Sequence, residues 1–179
     1  SMPILLLGCA LLAGCPSKTS KVGVILPLTG EADSYGTSVR KGIEVAYDEL
    51  QADGESPIAL LEIMDTESDP DKAAELLAAA FRDSRAIAAI GGVTSGEAKA
   101  MLGVADDLDR VLISPSASSP ELTGASRNFY RIWPSDYSAA NKMAQSAATV
   151  LNVKTVVVIA ESQDYARGIQ GVFQPAFEE

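Results

Sequence analysis

The chain has 179 residues, 47% of them hydrophobic, and its 24 acidic and 14 basic residues leave a formal net charge of -10. That length holds one good domain core, or a domain and part of another, while the acidic balance and the lack of any basic stripe exclude nucleic acid as a partner. Histidine is absent and the two cysteines, Cys9 and Cys15, both lie near the start, so the body of the protein has no Ser-His-Asp arrangement, no imidazole or thiolate metal site, no thiol nucleophile and no internal disulfide.

Taken in order, the chain opens with an apolar run from Pro3 to Cys15, shorter than the about 20 residues that cross a bilayer, which reads as a signal-peptide core. Leu12-Ala13-Gly14-Cys15 resembles the bacterial lipobox, and the resemblance implies that Cys15 carries a lipid. Leu6-Leu7-Gly8-Cys9 fits the same pattern with too little apolar chain before it, and no Lys or Arg precedes the run. Pro16-Ser17-Lys18-Thr19-Ser20 follows as a polar tether.

Lys21 to Leu26 is predicted as a first strand, stopped by Pro27 and the Thr29-Gly30 pair. Val39, Ile43, Ala46, Tyr47 and Leu50 then recur at helical spacing, with charged residues on the other faces, predicting a helix from about Tyr35 to Gln51. Ile58 to Met64 follows as a strand whose apolar run suits a sheet covered on both faces. Asp69-Pro70 is a helix start, with Asp as N-cap and Pro at the first helical position; Ala73, Leu76, Leu77, Ala80 and Phe81 continue it. Asp65, Glu67 and Asp69 form an acidic cluster that reads as a solvated loop in preference to a cation site. Ala86 to Ile90 is the third strand. It runs into Gly91-Gly92-Val93-Thr94-Ser95-Gly96 and a helix carrying Ala98, Met101, Leu102 and Ala105.

Val111 to Ile113 is the fourth strand. It opens into a loop holding Ser114, Ser116, Ser118 and Ser119, with Pro115 and Pro120 keeping the backbone out of a sheet ladder. Strand and helix alternate, so the predicted architecture is α/β, a doubly wound parallel sheet with right-handed crossovers. The stretch from Asn128 to Trp133, aromatic, extended and ended by Pro134, reads as a connection between two lobes. A second lobe then begins with a helix from about Tyr137 to Leu151, a strand from Thr155 to Ala160 and a helix from about Tyr165 to Phe177. Another strand is expected after Glu179, so this lobe reads as incomplete. The expected divisions are a signal segment at 1–15, a tether at 16–20, a first lobe at 21–128, a connection at 129–134 and the start of the second lobe at 135–179.

In an open α/β sheet, ligands bind outside the carboxyl ends of the strands. The loops Pro27 to Tyr35, Gly91 to Ser95 and Ser114 to Thr123 would share that edge, gathering Thr29, Tyr35, Thr94, Ser95, Ser116, Ser118 and Ser119. Ser95 falls at a helix start, where free N–H groups and the positive dipole end favour a carboxylate; serine there also serves as a plain N-cap. An enzyme is not indicated. In Gly92-Val93-Thr94-Ser95-Gly96 the serine is one position off a nucleophile elbow and no histidine exists to activate it, and no Gly-x-Gly-x-x-Gly follows the first strand. No cofactor or metal is called for.

Val24-Ile25-Leu26-Pro27-Leu28-Thr29-Gly30 with Tyr35-Gly36 and Gly42-Ile43-Glu44, the serine loop from Ile113 to Thr123, and Gln163-Asp164-Tyr165-Ala166-Arg167-Gly168 together resemble the branched-chain amino-acid-binding family of type I periplasmic binding proteins. The similarity runs from about Lys21 to Glu179. It implies a two-lobed fold, each lobe a doubly wound parallel sheet, with a ligand held in the cleft between them. It further implies that Ser95 and Ser118 contact the carboxylate or ammonium of an amino acid, that Ser116 offers main-chain contacts with Ala117 beside it in the ligand loop, and that Tyr35 and Tyr165 line the cleft. Where leucine-binding members often have threonine, this chain has Ser118. The family's acidic partner for the ammonium would lie later than Glu179. The function so implied is that of a lipid-anchored, extracytoplasmic solute-binding component of an ABC importer, with an amino-acid ligand, a permease partner, and contact with the membrane through the anchor only. The alternative is a sensing or regulatory lipoprotein module of the same fold that contacts a membrane or cell-wall partner.

Overall fold

A computed structural model describes residues 20–54 and 58–178. The signal segment and Cys15 lie outside the described residues. The elements run β1 (Ser20–Leu26), α1 (Asp33–Ala52), β2 (Ile58–Asp65), α2 (Pro70–Arg82), β3 (Ala86–Gly91), α3 (Ser95–Asp107), β4 (Val111–Ser114), β5 (Phe129–Arg131), α4 (Tyr137–Gln145) and α5 (Asp164–Glu178). The five strands form one parallel sheet in the order β2-β1-β3-β4-β5.

Strand periodicity sorts the central residues onto two faces. Val22, Val24 and Leu26 of β1 pack with Val39 and Ile43 of α1, whereas Ile25 packs with Leu77 and Phe81 of α2 and Met101 and Ala105 of α3. α1 therefore covers one face and α2 and α3 the other. The chain steps from β1 outward to β2 and then returns past β1 to β3, so the loops leaving β1 and β3 diverge. That reversal opens a crevice at their carboxyl ends, and it places the site.

The two faces are not equally closed. On the α1 side Ile87 is 47% exposed, and an apolar groove of about 290 Å3 runs past Ile43, Tyr47, Ile58, Ile87 and Ile113. The apolar run of β2 predicted cover on both faces; α1 supplies it for only part of the width.

Three expectations change in the second half. Asn128 to Trp133 is not merely a connection: Phe129–Arg131 pairs in parallel with Leu112–Ser114 as the fifth strand. Three residues are too few to show a period of two, so pattern could not separate strand from linker. The helix predicted to Leu151 ends as an α-helix at Gln145 and continues as a π-helical turn, Ser146–Val150. There Thr149 Oγ1 donates to the Gln145 carbonyl at 2.7 Å, the side-chain back-bonding that loosens regular helix. Finally, Thr155 to Ala160 forms no strand. Its composition has strand propensity, but a strand exists only by pairing, and the segment has no sheet partner among the described residues. Val157 is 81% and Ile159 94% exposed. α4 and α5 pack against each other beside it. Among the described residues, no helix is long and apolar enough to cross a membrane.

Candidate functional site

The loop after β1 is tied down by an acid at the end of β2. Asp65 accepts from the Leu28 amide at 2.8 Å, the Thr29 amide at 3.2 Å, Thr29 Oγ1 at 2.8 Å and the Glu67 amide at 2.9 Å. Partial burial works to raise its carboxyl, but these donors prevail and hold it below the ordinary value. Ser68 Oγ donates to the Thr29 carbonyl at 2.8 Å and accepts from the Ala32 amide at 3.0 Å. The acidic cluster is thus a brace plus a cap, since Asp69 accepts from the Asp71 and Lys72 amides as the N-cap of α2. Among the described residues no three His, Cys, Asp or Glu side chains are grouped so as to hold a metal ion. Thr29 is committed to Asp65 and does not line the cleft described below. Tyr35, in the first turn of α1, does, and the residue is 67% exposed.

The loop after β3 turns at Gly92, whose φ of +65° and a would-be Cβ 2.7 Å from Ala98 Cα leave room for no side chain. Thr94 then caps α3 in a reciprocal box with Glu97: the Glu97 amide donates to Thr94 Oγ1 at 3.2 Å and the Thr94 amide to Glu97 Oε2 at 3.1 Å. Glu97 is fully buried, and its other oxygen accepts from Thr66 Oγ1 at 2.5 Å. The cap is therefore Thr94, which frees Ser95 from that duty. Ser95, the first residue of α3, is 4% exposed and its Oγ accepts from the Ser119 amide at 3.3 Å, leaving its O–H to donate elsewhere. The amides of Ser95 and Gly96 have no intrahelical partner, as at any helix start, and both residues stand at a cavity wall.

In the serine loop the hydroxyls divide by role. Ser114 Oγ donates to the Gly92 carbonyl at 2.7 Å, and Ser116 Oγ to the Val93 carbonyl at 2.6 Å, so both fasten this loop to the one after β3. Ala117 packs its methyl against Ala98 and Leu122, with its amide donating to Ser114 Oγ at 3.0 Å; it supports the loop and does not line the cleft. Arg131 of β5 reaches back to the Ser119 carbonyl at 2.8 Å and Thr123 Oγ1 at 2.5 Å. Ser118, 6% exposed, is held through its carbonyl, which accepts from the Asp136 amide at 3.0 Å.

These loops enclose a cleft of about 280 Å3 lined by Tyr35, Val93, Thr94, Ser95, Ser116, Ser118, Gln163 and Tyr165. An adjoining cavity of about 430 Å3 shares Tyr35, Thr94, Ser95, Gln163 and Tyr165 and is bounded further by Glu31, Ser68, Pro70, Gly96 and Asp164. Of the predicted ligand residues, Tyr35, Ser95, Ser116, Ser118 and Tyr165 thus converge and Ala117 stands behind them. Tyr35 of α1 and Tyr165 of α5 thus stand at one cleft with hydroxyl-bearing residues and the start of α3. That arrangement suits a small molecule with an anionic head and a less polar body. Gln163, Glu97 and Arg131 escaped the sequence reading as site residues. Thr94-Ser95-Gly96-Glu97 carries the capping-box signal that could have found Glu97, whereas nothing local marks Arg131 as the anchor of a loop eight or more residues earlier.

A family model for periplasmic binding proteins matches residues 19–178. The chain is 27% identical over 158 residues to a Leu/Ile/Val-binding protein homologue of Brucella melitensis, which takes in 87% of this chain and 43% of the relative. The leucine-binding protein LivK of Thermotoga maritima superposes with a TM-score of 0.75 at 29% identity, over 89% of this chain and 45% of that one. LivJ of Streptococcus pneumoniae, solved with isoleucine, gives 0.76 at 28% identity, over 89% and 47%. The chain spans less than half the length of these relatives.

Proposed function

The chain belongs to the periplasmic binding protein family, a family of binding proteins and not enzymes, with the type I α/β fold, and on that premise we propose that it captures an amino acid for an ABC importer. The ligand class is a small, branched-chain-like amino acid or a related molecule, held between the lobes. The observation that carries this reading is the convergence of Ser95 and Ser118 with the start of α3 between Tyr35 and Tyr165. In this reading the Ser95 and Ser118 hydroxyls and the first amides of α3 meet the ligand's charged head, since an anion there gains both unpaired donors and the positive end of the helix dipole. Ser116, its own proton committed to Val93, contributes its accepting oxygen and main chain. Tyr35 and Tyr165 close over the ligand body. Two relatives of known structure are described as binding leucine and isoleucine respectively, which supports the class.

The protein works outside the cytoplasm, anchored through a lipid on Cys15, with a membrane permease as its partner. Expressed with a complete signal sequence in a bacterium, Cys15→Ser should leave the membrane fraction; retention there would refute the anchor. Capture itself is tested by thermal shift of the full-length protein with leucine, isoleucine, valine, threonine and alanine. A ligand at 100 times its dissociation constant stabilises by about 2.7 kcal/mol. Stabilisation by at least one is expected, and stabilisation by none would sink the transport reading in favour of a partner-contacting module.

A further inference from the structure

Lys99, one turn into α3, stands between two carboxylates on different parts of the molecule. Its Nζ lies 2.9 Å from Glu121 Oε2, in the short 3-10 turn Pro120–Leu122 that follows the serine loop, and 2.9 Å from Asp164 Oδ1, at the start of α5 in the second lobe. Arg167 also pairs with Asp164, at 3.1 Å, but from the same helix, so it cannot join the lobes. The seam around Lys99 is close-fitting. Ser119 Oγ donates to the Asp164 carbonyl at 3.5 Å, and a Cβ at Gly168 would fall 2.3 Å from Ser119 Oγ, so α5 approaches this loop as only a glycine permits. Asp164 is flanked in sequence by Gln163 and Tyr165, and both of these line the cleft.

We infer that Lys99 is a positioning residue for ligand capture: by bridging Glu121 of the first lobe to Asp164 of the second, it seats the 163–165 turn so that Gln163 and Tyr165 face Ser95 and Ser118. The inference rests on the binding function proposed above. The cation is partly exposed, with 49% of its side chain accessible against 22% for Asp164, so the bridge is weak enough to break in each opening and is screened by salt. It stores a bias toward the closed arrangement without contacting the ligand. Exposed pairs of this kind each shift an equilibrium by a factor of about 1.4 to 5, and two share this one cation.

The test uses the full-length protein with a fluorophore pair on the exposed surfaces of α1 and α5, read with and without L-leucine. Lys99→Met should lengthen the ligand-free distance between the lobes and speed L-leucine dissociation by roughly 2- to 10-fold, with an unchanged melting midpoint. Lys99→Arg should restore both, because the charge is kept. Asp164→Asn should open the lobes as Lys99→Met does. Raising the salt should lengthen the wild-type distance and leave Lys99→Met unmoved. Identical distances and salt responses in wild type and Lys99→Met would overturn the inference. If the wild type takes up no L-leucine, the ligand class proposed above fails, while the ligand-free distances still decide the role of Lys99.

Discussion

Residues 20–131 and residues 135–178 carry the same alternation of apolar runs and amphipathic helices, yet they differ sharply in burial. In the first region Ile25, Leu26, Leu77, Met101 and Leu112 are wholly inaccessible; in the second only Ala140, Ala144 and Gly168 are buried. Valine and isoleucine at 157 and 159 have as much strand propensity as those of β1, but β1 has neighbours on both sides and the later segment has none among the described residues. The lesson is that an apolar run becomes core through pairing and cover. A sheet at the centre of a lobe stabilises residues far from one another in sequence, whereas two helices packed together bury little.

The largest effect should come from breaking the better-packed side. Leu77→Ala removes a wholly buried side chain from beneath α2, so denaturant melts should show a loss of about 2–5 kcal/mol. A loss below about 1 kcal/mol would mean that the α2 and α3 face can collapse to fill the gap.

Ser95→Ala and Ser118→Ala probe the seam between the regions. If each hydroxyl serves a charged ligand group, each change weakens binding by roughly 1.5–3 kcal/mol, about 10- to 150-fold by titration calorimetry. Stability should stay within about 0.5 kcal/mol for Ser118→Ala, whereas Ser95→Ala also takes the acceptor from the Ser119 amide and should cost about 1 kcal/mol or more of stability. Intact affinity with lowered stability would make both serines structural.

Asp69→Ala removes the N-cap of α2 and should cost about 1 kcal/mol of first-region stability. Acidification should act on the same region through Asp65. Its folded carboxyl sits below the ordinary value, so its contribution is complete above about pH 4 and is lost as the pH falls below that. Asp65→Asn should flatten this part of the pH-stability profile, and an unchanged profile would remove Asp65 as the brace.

The smallest effect belongs to the later segment: Ile159→Ala in the 179-residue chain should change stability by no more than about 0.5 kcal/mol. A loss near that of Leu77→Ala would show that this segment is buried in solution and would erase the contrast.

Much of this molecule could be read along the chain because its signals are local. Asp69-Pro70 marks the start of α2 through the amides that follow it, α1 and α2 follow from 3.6-residue spacing, β1 and β3 follow from apolar runs closed by Pro and Gly, and β2 from its apolar run alone. That the loops after β1, β3 and β4 share one edge was legible for the same reason, since topology puts them on one side. What had to await the fold is whatever depends on a partner distant in sequence. Whether Phe129–Arg131 is a strand depends on β4, and whether Thr155 to Ala160 is one depends on a neighbour. Arg131 became the anchor of the serine loop, Thr94 took the cap for which Ser95 was an equal candidate, and Ala117 turned away from the cleft. In each case several local choices were nearly equal in free energy, and contacts made between residues tens of positions apart selected among them.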